Sequence, residues 1–563
     1  MAQTVRRPKS LNFAKSAEKC LHHIIQNVDP DYDYVPYVGV TLGEKRPHFV
    51  HHRLDWSEVL PYAIYGAILA RDLSGSTEGK KIEQKQRELL LRQISPLDSL
   101  IYTRKSPWNK SYPMCLWEQS RALHALLYWY MDSGDERLMN IMSNMVNTLF
   151  KMSIQTGCMR SFSPDIINHI GMGAIALGEL IDPLIKYYEL SGDSKAYQLG
   201  LGLAYYCTDS KTGFFGDDGN ILDNQLYRSA ISVLSGVLRA GRLANDQDLI
   251  TRGKQIHDTL SSYVTRYGAT PCTEPACSNM ELIYSAIHLA ELGDLEYYDQ
   301  IDRYIRNQTS EAQFLDESEW DFNLARNGRI LGKDFQWVFG EYPDQLETLP
   351  YDYYGDDVIS KSIGGFLWTD FSEHRFVPAS LMLCCSGHAM RSYHLVVEKM
   401  VQPTIQGFDI NFHYSYENNL VELISYEPYI GKFVIIPKQS CHKIRIRIPD
   451  YWRKSEITVN GENITDKISN GYYIIQNADP NKEYVFKYLL DCYETQESVY
   501  VIKDSVINYI KQVRVQWKGN TVVNLLDNQS QNPKRIYKRS HLIDSKVEYE
   551  DMIPHVSSKH IYW

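Results

Sequence analysis

Two hydrophobic periods divide the chain. From Leu54 to about Arg306 apolar residues recur at i, i+3, i+4 and i+7, the spacing that lines one face of an α-helix. The same theme repeats: an apolar helix, a small acidic turn, and a second amphipathic helix that starts at once. Leu123 to Tyr130 runs through Ser133-Gly134-Asp135 into Leu138, Ile141, Met142 and Met145, and Ala174 to Leu190 runs through Ser191-Gly192-Asp193 into Ala196, Leu199 and Leu203. Ile231 to Leu243 and Met280 to Leu292 do the same through Asn245-Asp246 and Gly293-Asp294. Gly or Asn ends the first helix in a left-handed conformation, and Asp caps the second. From Gly134 through Gly192 and Asn245 to Gly293 the turns lie 58, 53 and 48 residues apart. A period near 50 built from helix pairs predicts stacked αα-hairpins. An earlier pair at Trp56–Ala70 and Lys81–Ile94, and a later helix after Cys385, bring the expected total to about six, which suggests a closed (α/α)6 ring with a central funnel.

After Pro403 the period changes to two. Asp409–Phe412, Leu420–Leu423, Lys432–Ile436 and Lys443–Ile448 read as strands, and Pro449-Asp450, Asn460-Gly461 and Asn470-Gly471 as turns. The expected architecture is multidomain α + β: a six-hairpin barrel over 1–402, a β-sandwich over 403–493 and a β-rich extension over 494–563. Between Gln313 and Val377 periodicity stops, and Trp320, Trp337, Tyr342, Tyr354 and Trp368 accumulate beside many acids. So long an irregular stretch reads as a lid or wall over the funnel.

Composition narrows the field. In 563 residues, 44% are hydrophobic and 23% charged, as in a folded globular chain. The net charge of −10 argues against nucleic acid as the main partner, because phosphate binding needs a basic face. No apolar run approaches the roughly 18 residues of a membrane span. Arg6, Arg7 and Lys9 have no apolar stretch behind them, so no signal peptide is read, and ten cysteines are too few for a disulfide scaffold. The expected setting is reducing and cytoplasmic, or periplasmic if a leader has been removed.

The candidate chemistry lies in Leu383-Cys384-Cys385-Ser386-Gly387-His388. Adjacent cysteines do not readily bond to each other; two thiolates aimed at one soft ion, or one ligand beside one nucleophile, are their natural uses. Ala389, Met390, Tyr393, Val396 and Val397 follow at helical spacing, so the pair lies at or just before a helix N-terminus, with the helix expected to start near Ser386. The free N–H groups there lower a thiol pKa. Upstream, Cys272-Thr273-Glu274-Pro275-Ala276-Cys277 also leads into an apolar helix. Thiols and a carboxylate from both stretches would complete a tetrahedral zinc site, whereas ordinary buried cysteines are the other reading.

With these pieces placed, the chain resembles the β-L-arabinofuranosidase-type glycoside hydrolases (family 127 and its relatives) over nearly its whole length. The pieces that carry the resemblance are Glu274-Pro275-Ala276-Cys277, Gly364-Gly365-Phe366, Cys384-Cys385-Ser386-Gly387-His388-Ala389-Met390-Arg391, and Ile446-Arg447-Ile448-Pro449 with Val459-Asn460-Gly461. The resemblance implies a six-hairpin barrel followed by β-sandwich domains. It also implies zinc held by Cys277, Cys384, Cys385 and a glutamate, and Cys384 as the nucleophile of a retaining exo-glycosidase on a plant or pectin-type sugar. The chain departs from the family in two places. The metal carboxylate falls two residues before the cysteine in the family, where this chain has Pro275; Glu274 lies three before, and Cys272 competes for the same place. The loop Tyr263 to Thr270 carries no acid where the family places its acid/base glutamate. Glu281, one helical turn after Cys277, is the first candidate to supply it, with Glu274, Glu118, Glu341, His169 and His388 behind. Two alternatives share the fold: a sugar lyase or epimerase working by proton transfer, and an inactive carbohydrate-binding protein with a structural zinc.

Overall fold

The computed structural model describes residues 5–108, 114–167, 173–222, 227–271, 274–326, 352–368, 379–503, 506–526 and 539–552. Its helices are α1 (Phe13–Gln26), α2 (Val59–Ser74), α3 (Lys80–Gln93), α4 (Leu116–Ser133), α5 (Glu136–Met152), α6 (Gly173–Ser191), α7 (Ser194–Thr208), α8 (Leu234–Ala244), α9 (Gln247–Ser261), α10 (Pro275–Glu291), α11 (Glu296–Arg303) and α12 (Leu383–Met400), besides a few of one turn. The even-numbered helices touch in a cycle: α2 meets α4, then α6, α8, α10 and α12 follow in order, and α12 returns to α2. Each odd-numbered helix backs one of them from outside, α1 lying against both α2 and α12.

Burial separates the two sets. α2 is buried along nearly its whole length from Val59 to Ser74, whereas α5 buries only the stripe Leu138, Met142, Met145, Val146 and Leu149. An inner helix needs apolar residues all round and an outer helix only one face. The turns work as expected: Gly134, Gly192 and Asn245 end helices with positive φ, and Asp135, Asp193 and Asp246 accept from the backbone N–H groups of Arg137, Lys195 and Leu249. Asp294 differs, because α11 is capped by Leu295 instead. Among the described residues between 120 and 305, the paired strands are the short hairpin Ile154–Thr156 with Met159–Ser161.

From Val401 the chain forms a four-stranded sheet and a six-stranded sheet. Tyr473 of the first and Phe486 of the second meet edge to face at 5.9 Å, so the sheets share a core. Asn460-Gly461 turns the hairpin Thr458–Val459 to Glu462–Asn463 with both residues at positive φ. Arg447 fastens this part to the ring: buried, it donates to Asn411 O at 2.7 Å and to Asp299 Oδ1 of α11 at 2.8 Å. A third sheet (Cys492–Lys503, Val506–Lys518, Thr521–Leu525) packs Val515 and Trp517 against Tyr267 and Ala269. The chain ends meet where Val5–Pro8 pairs with Tyr549–Met552. Of the expected lid, 327–351 and 369–378 lie outside the described residues. Its flanks are anchored: Tyr353 pairs with Phe49, and Gln313 with Phe366. Among the described residues no helix is long and apolar enough to cross a membrane.

Two features set the entrance to α2 and α12. Gly364, at φ +99°, lies against α1 so closely that a Cβ would stand 1.9 Å from Lys19 O. Upstream, His51 pins the segment leading into α2: Nδ1 meets Asp55 Oδ2 at 2.7 Å and Nε2 meets Asp29 Oδ2 at 2.9 Å, with Trp108 stacked at 3.7 Å. Burial opposes the charged ring, but the two carboxylates outweigh it and hold His51 above the ordinary histidine range, while burial lifts Asp55 to about 6. Both shifts let the folded state hold protons more tightly than the unfolded chain. The His51 stabilisation is therefore complete below about pH 6.5 and lost as pH rises through the folded value.

Gly364→Ala should cost more than about 2 kcal/mol in urea unfolding, because both the φ and the contact forbid a side chain. His51→Gln should be less stable than wild type by about 3 kcal/mol at pH 6, since it strands two buried carboxylates. That gap should narrow at pH 9; a gap that is flat or grows with pH would contradict the pinning.

Candidate functional site

The inner helices gather their N-termini at one end of the ring, and the candidate chemistry lies there. Strand Ser380–Met382 pairs with Gly39–Thr41 and passes directly into α12. Leu383 donates its N–H to Val38 O at 3.1 Å, which satisfies one of the orphan donors of a helix start. This handover starts the helix three residues before the expected Ser386, so Cys384 and Cys385 stand in its first turn. α10 opens with Pro275 at a first-turn position and with Glu274 as N-cap at φ 63°, ψ 60°, a left-handed conformation rare for a glutamate.

Cys277, Cys384 and Cys385 converge, with their sulfurs within 4.8 Å of one another. Cys277 Sγ lies 3.9 Å from Cys384 Sγ and 3.5 Å from Cys385 Sγ. Sulfurs tetrahedral about a zinc ion at about 2.3 Å stand about 3.8 Å apart, so the observed spacing suits one such ion. All three thiols are buried, and burial, their mutual contacts and the negative field of Glu274 push them well above the ordinary thiol range. A soft cation is the partner that such a donor set fits.

Glu274 is not among the atoms of that triad. Its Oε1 accepts from Trp368 Nε1 at 3.2 Å, and its Oε2 lies 3.5 Å from Arg228 Nε. The backbone holds Trp368 in place: its N–H donates to Ser380 O at 2.9 Å, and Phe366 donates its N–H to Ser386 Oγ in the first turns of α12. Arg228 lies between three acids, Glu179 at 3.2 Å, Glu274 at 3.5 Å and Glu281 at 3.8 Å, and Glu179 also pairs with Arg121. Glu281 accepts from Ser235 Oγ at 3.1 Å besides. Burial raises its pKa, while Arg228, Arg391 and Ser235 pull it back. Asp182 of α6 joins Arg239 at 3.2 Å, Arg391 at 3.3 Å and His124 at 3.5 Å, a buried cluster of paired charges.

The structure thus brings together Cys277, Cys384 and Cys385, places Glu274 beside them, and engages Glu281 with Arg228. His388 is buried and burial keeps it neutral, its ring 4.8 Å from that of Tyr62. Glu118 accepts from Ser57 at 2.6 Å and Thr103 at 2.9 Å. Cys272, His169 and Glu341 lie outside the described residues. Sequence reasoning passed over Arg121, Glu179, Arg228 and Glu58, and took Trp368 only as one aromatic of the expected lid. Glu58 precedes Val59-Leu60-Pro61, where an acid before an apolar helix reads as an ordinary cap; yet as N-cap it makes no capping hydrogen bond.

No protein-family profile and no curated protein sequence matches the chain. Solved structures do. A GH127 β-L-arabinofuranosidase from Geobacillus stearothermophilus T6 superposes with a TM-score of 0.56 at 15% identity, covering 92% of this chain and 86% of that one. A second GH127 β-arabinofuranosidase superposes with a TM-score of 0.55 at 13% identity, covering 92% and 85%. The chain has the fold of the GH127 β-L-arabinofuranosidases, in a divergent form.

Proposed function

We propose that the chain is a retaining exo-glycoside hydrolase on an (α/α)6 barrel with a C-terminal β-sandwich, acting on a β-L-arabinofuranoside-like sugar of a plant or pectin-type glycan. The observation that carries this reading is the triad of buried thiols, spaced for one zinc ion, at the joined N-termini of α10 and α12 on this fold. Cys277, Cys384 and Cys385 would hold a zinc ion, with Glu274 as the candidate oxygen ligand beside them. Bound there, zinc would supply the positive charge that keeps the sulfurs deprotonated at neutral pH.

Cys384 is the nucleophile in this reading. It lies in the first turn of α12, where unpaired N–H groups favour a thiolate. Its sulfur attacks the anomeric carbon, and the bond to the leaving oxygen breaks. Arg228 holds Glu274, Glu179 and Glu281 around the funnel wall, and Trp368 donates to Glu274 from the other side. Glu281 serves here as a partner of Arg228.

Purified protein should contain about one zinc per chain by elemental analysis. Cys277→Ser and Cys385→Ser should lose it, and should melt several degrees lower. Cys384→Ala should fold yet lose turnover of an aryl β-L-arabinofuranoside by at least about 1,000-fold. A metal-free active enzyme, or an active Cys384→Ala variant, would overturn the assignment. Bound zinc with no turnover of any glycoside would favour a structural metal in a carbohydrate-binding protein.

A further inference from the structure

We propose that Glu58 is the proton donor and acceptor of this site, an inference that rests on Cys384 being the nucleophile. Its position follows from two helices. Glu58 is the N-cap of α2, one turn ahead of Tyr62; Cys384 is in the first turn of α12, one turn ahead of His388. The rings of Tyr62 and His388 meet at 4.8 Å, and a Cβ on Gly387 would stand 3.1 Å from Tyr62 Cδ1, so the two helices touch one turn below both residues. Neighbouring helix axes lie about 8–10 Å apart, and a carboxyl and a thiol reach into that gap from either side. Both Glu58 and Cys384 bear electrostatically on the Tyr62 hydroxyl, and Glu58 also feels Glu274, Arg121 and Arg228.

The hydrogen bonds around the site single out Glu58 from its neighbours. Glu58 is 3% exposed, and among the described residues its Oε2 has no hydrogen-bond partner. Glu281 is tied to Ser235 and Arg228, and Glu274 to Trp368 and Arg228; Glu118 shares the unpartnered Oε2, but its Oε1 is held by both Ser57 and Thr103. A buried carboxyl left without a partner costs stability, and a ligand that completes it gives it a use.

In the first step the Cys384 sulfur bonds to the anomeric carbon while the Glu58 proton passes to the departing oxygen. In the second, Glu58 as carboxylate takes a proton from water, the water oxygen bonds to the same carbon, and the carbon–sulfur bond breaks. Protons and electrons balance within substrate, water and protein. The acid matters most when the leaving oxygen is a poor one.

The test compares wild type, Glu58→Gln, Glu281→Gln and Cys384→Ala on 4-nitrophenyl and methyl β-L-arabinofuranosides. Glu58→Gln should lose at least about 100-fold in kcat/KM on the methyl glycoside and under about 10-fold on the aryl one. It should also accumulate a chain heavier by one pentosyl group on Cys384, visible by mass spectrometry during aryl turnover. Glu58→Asp should recover part of the methyl-glycoside activity. Wild-type melting behaviour in Glu58→Gln keeps the kinetics interpretable, since the replacement removes no observed contact. Equal losses on both substrates, or leaving-group selectivity appearing in Glu281→Gln instead, would overturn the role of Glu58 while leaving the cysteine reading intact. An active Cys384→Ala would overturn the cysteine reading itself and this inference with it.

Discussion

The meeting of Cys277 with Cys384 and Cys385 is the constraint on which the rest of the site depends. The sulfurs come from two helices 107 and 108 positions apart in sequence, and they meet because both helices start at the same end of the ring. The start of α12 is fixed by the strand that precedes it; the start of α10 is fixed by Pro275 and by Glu274 in a strained left-handed conformation. Side contacts keep the register. Gly66 of α2 and Gly387 of α12 lack the side chains that would hold the helices apart, since a Cβ on Gly66 would stand 3.3 Å from Gly387 Cα. Ionising three thiols buried beside a carboxylate is unfavourable, so as thiolates they would need a cation among them.

The same constraint explains why the ring interior is polar. Leu and Ile would pack more simply there, yet Asp182 pairs with Arg239 and Arg391, and Glu179 with Arg121 and Arg228. Buried pairs of this kind contribute little net stability, but removing one member costs about 3–5 kcal/mol. They therefore hold side chains in place more than they hold the fold together. Arg228 gathers acids from α6 and α10 around a single guanidinium, and so couples the position of Glu274 to that of the wall behind it.

Much of the fold is legible in the sequence because hairpin repeats write themselves locally. Gly134, Gly192 and Asn245 need a left-handed conformation, and Asp135, Asp193 and Asp246 need only a hydrogen bond two or three residues away. Asn460-Gly461 is legible for the same reason. The thiol triad is half legible: Cys384-Cys385 is conspicuous, but its partner is reached only through ring closure, which no local signal encodes. The helix start at Leu383 is missed because it is set by pairing with Gly39–Thr41, some 340 residues earlier in the chain. Glu58 and Arg228 are missed for a related reason. Each looks ordinary among its sequence neighbours, and its character comes from which charges the other helices bring near it.

The pieces that carry the family resemblance divide into two kinds once their surroundings are known. Arg447 spans from the β-domain to Asp299, Asn460-Gly461 turns a hairpin, and Gly364 admits the backbone of α1. These requirements belong to the scaffold, and any chain that builds this scaffold meets them whatever it binds. The cysteine pieces are different, since packing asks only for small apolar side chains there and not for three thiols at one point. Shared fold at 15% identity is what the first kind predicts. The second kind is compatible with a metal site, and beside it Glu274 is engaged by Trp368 and Arg228.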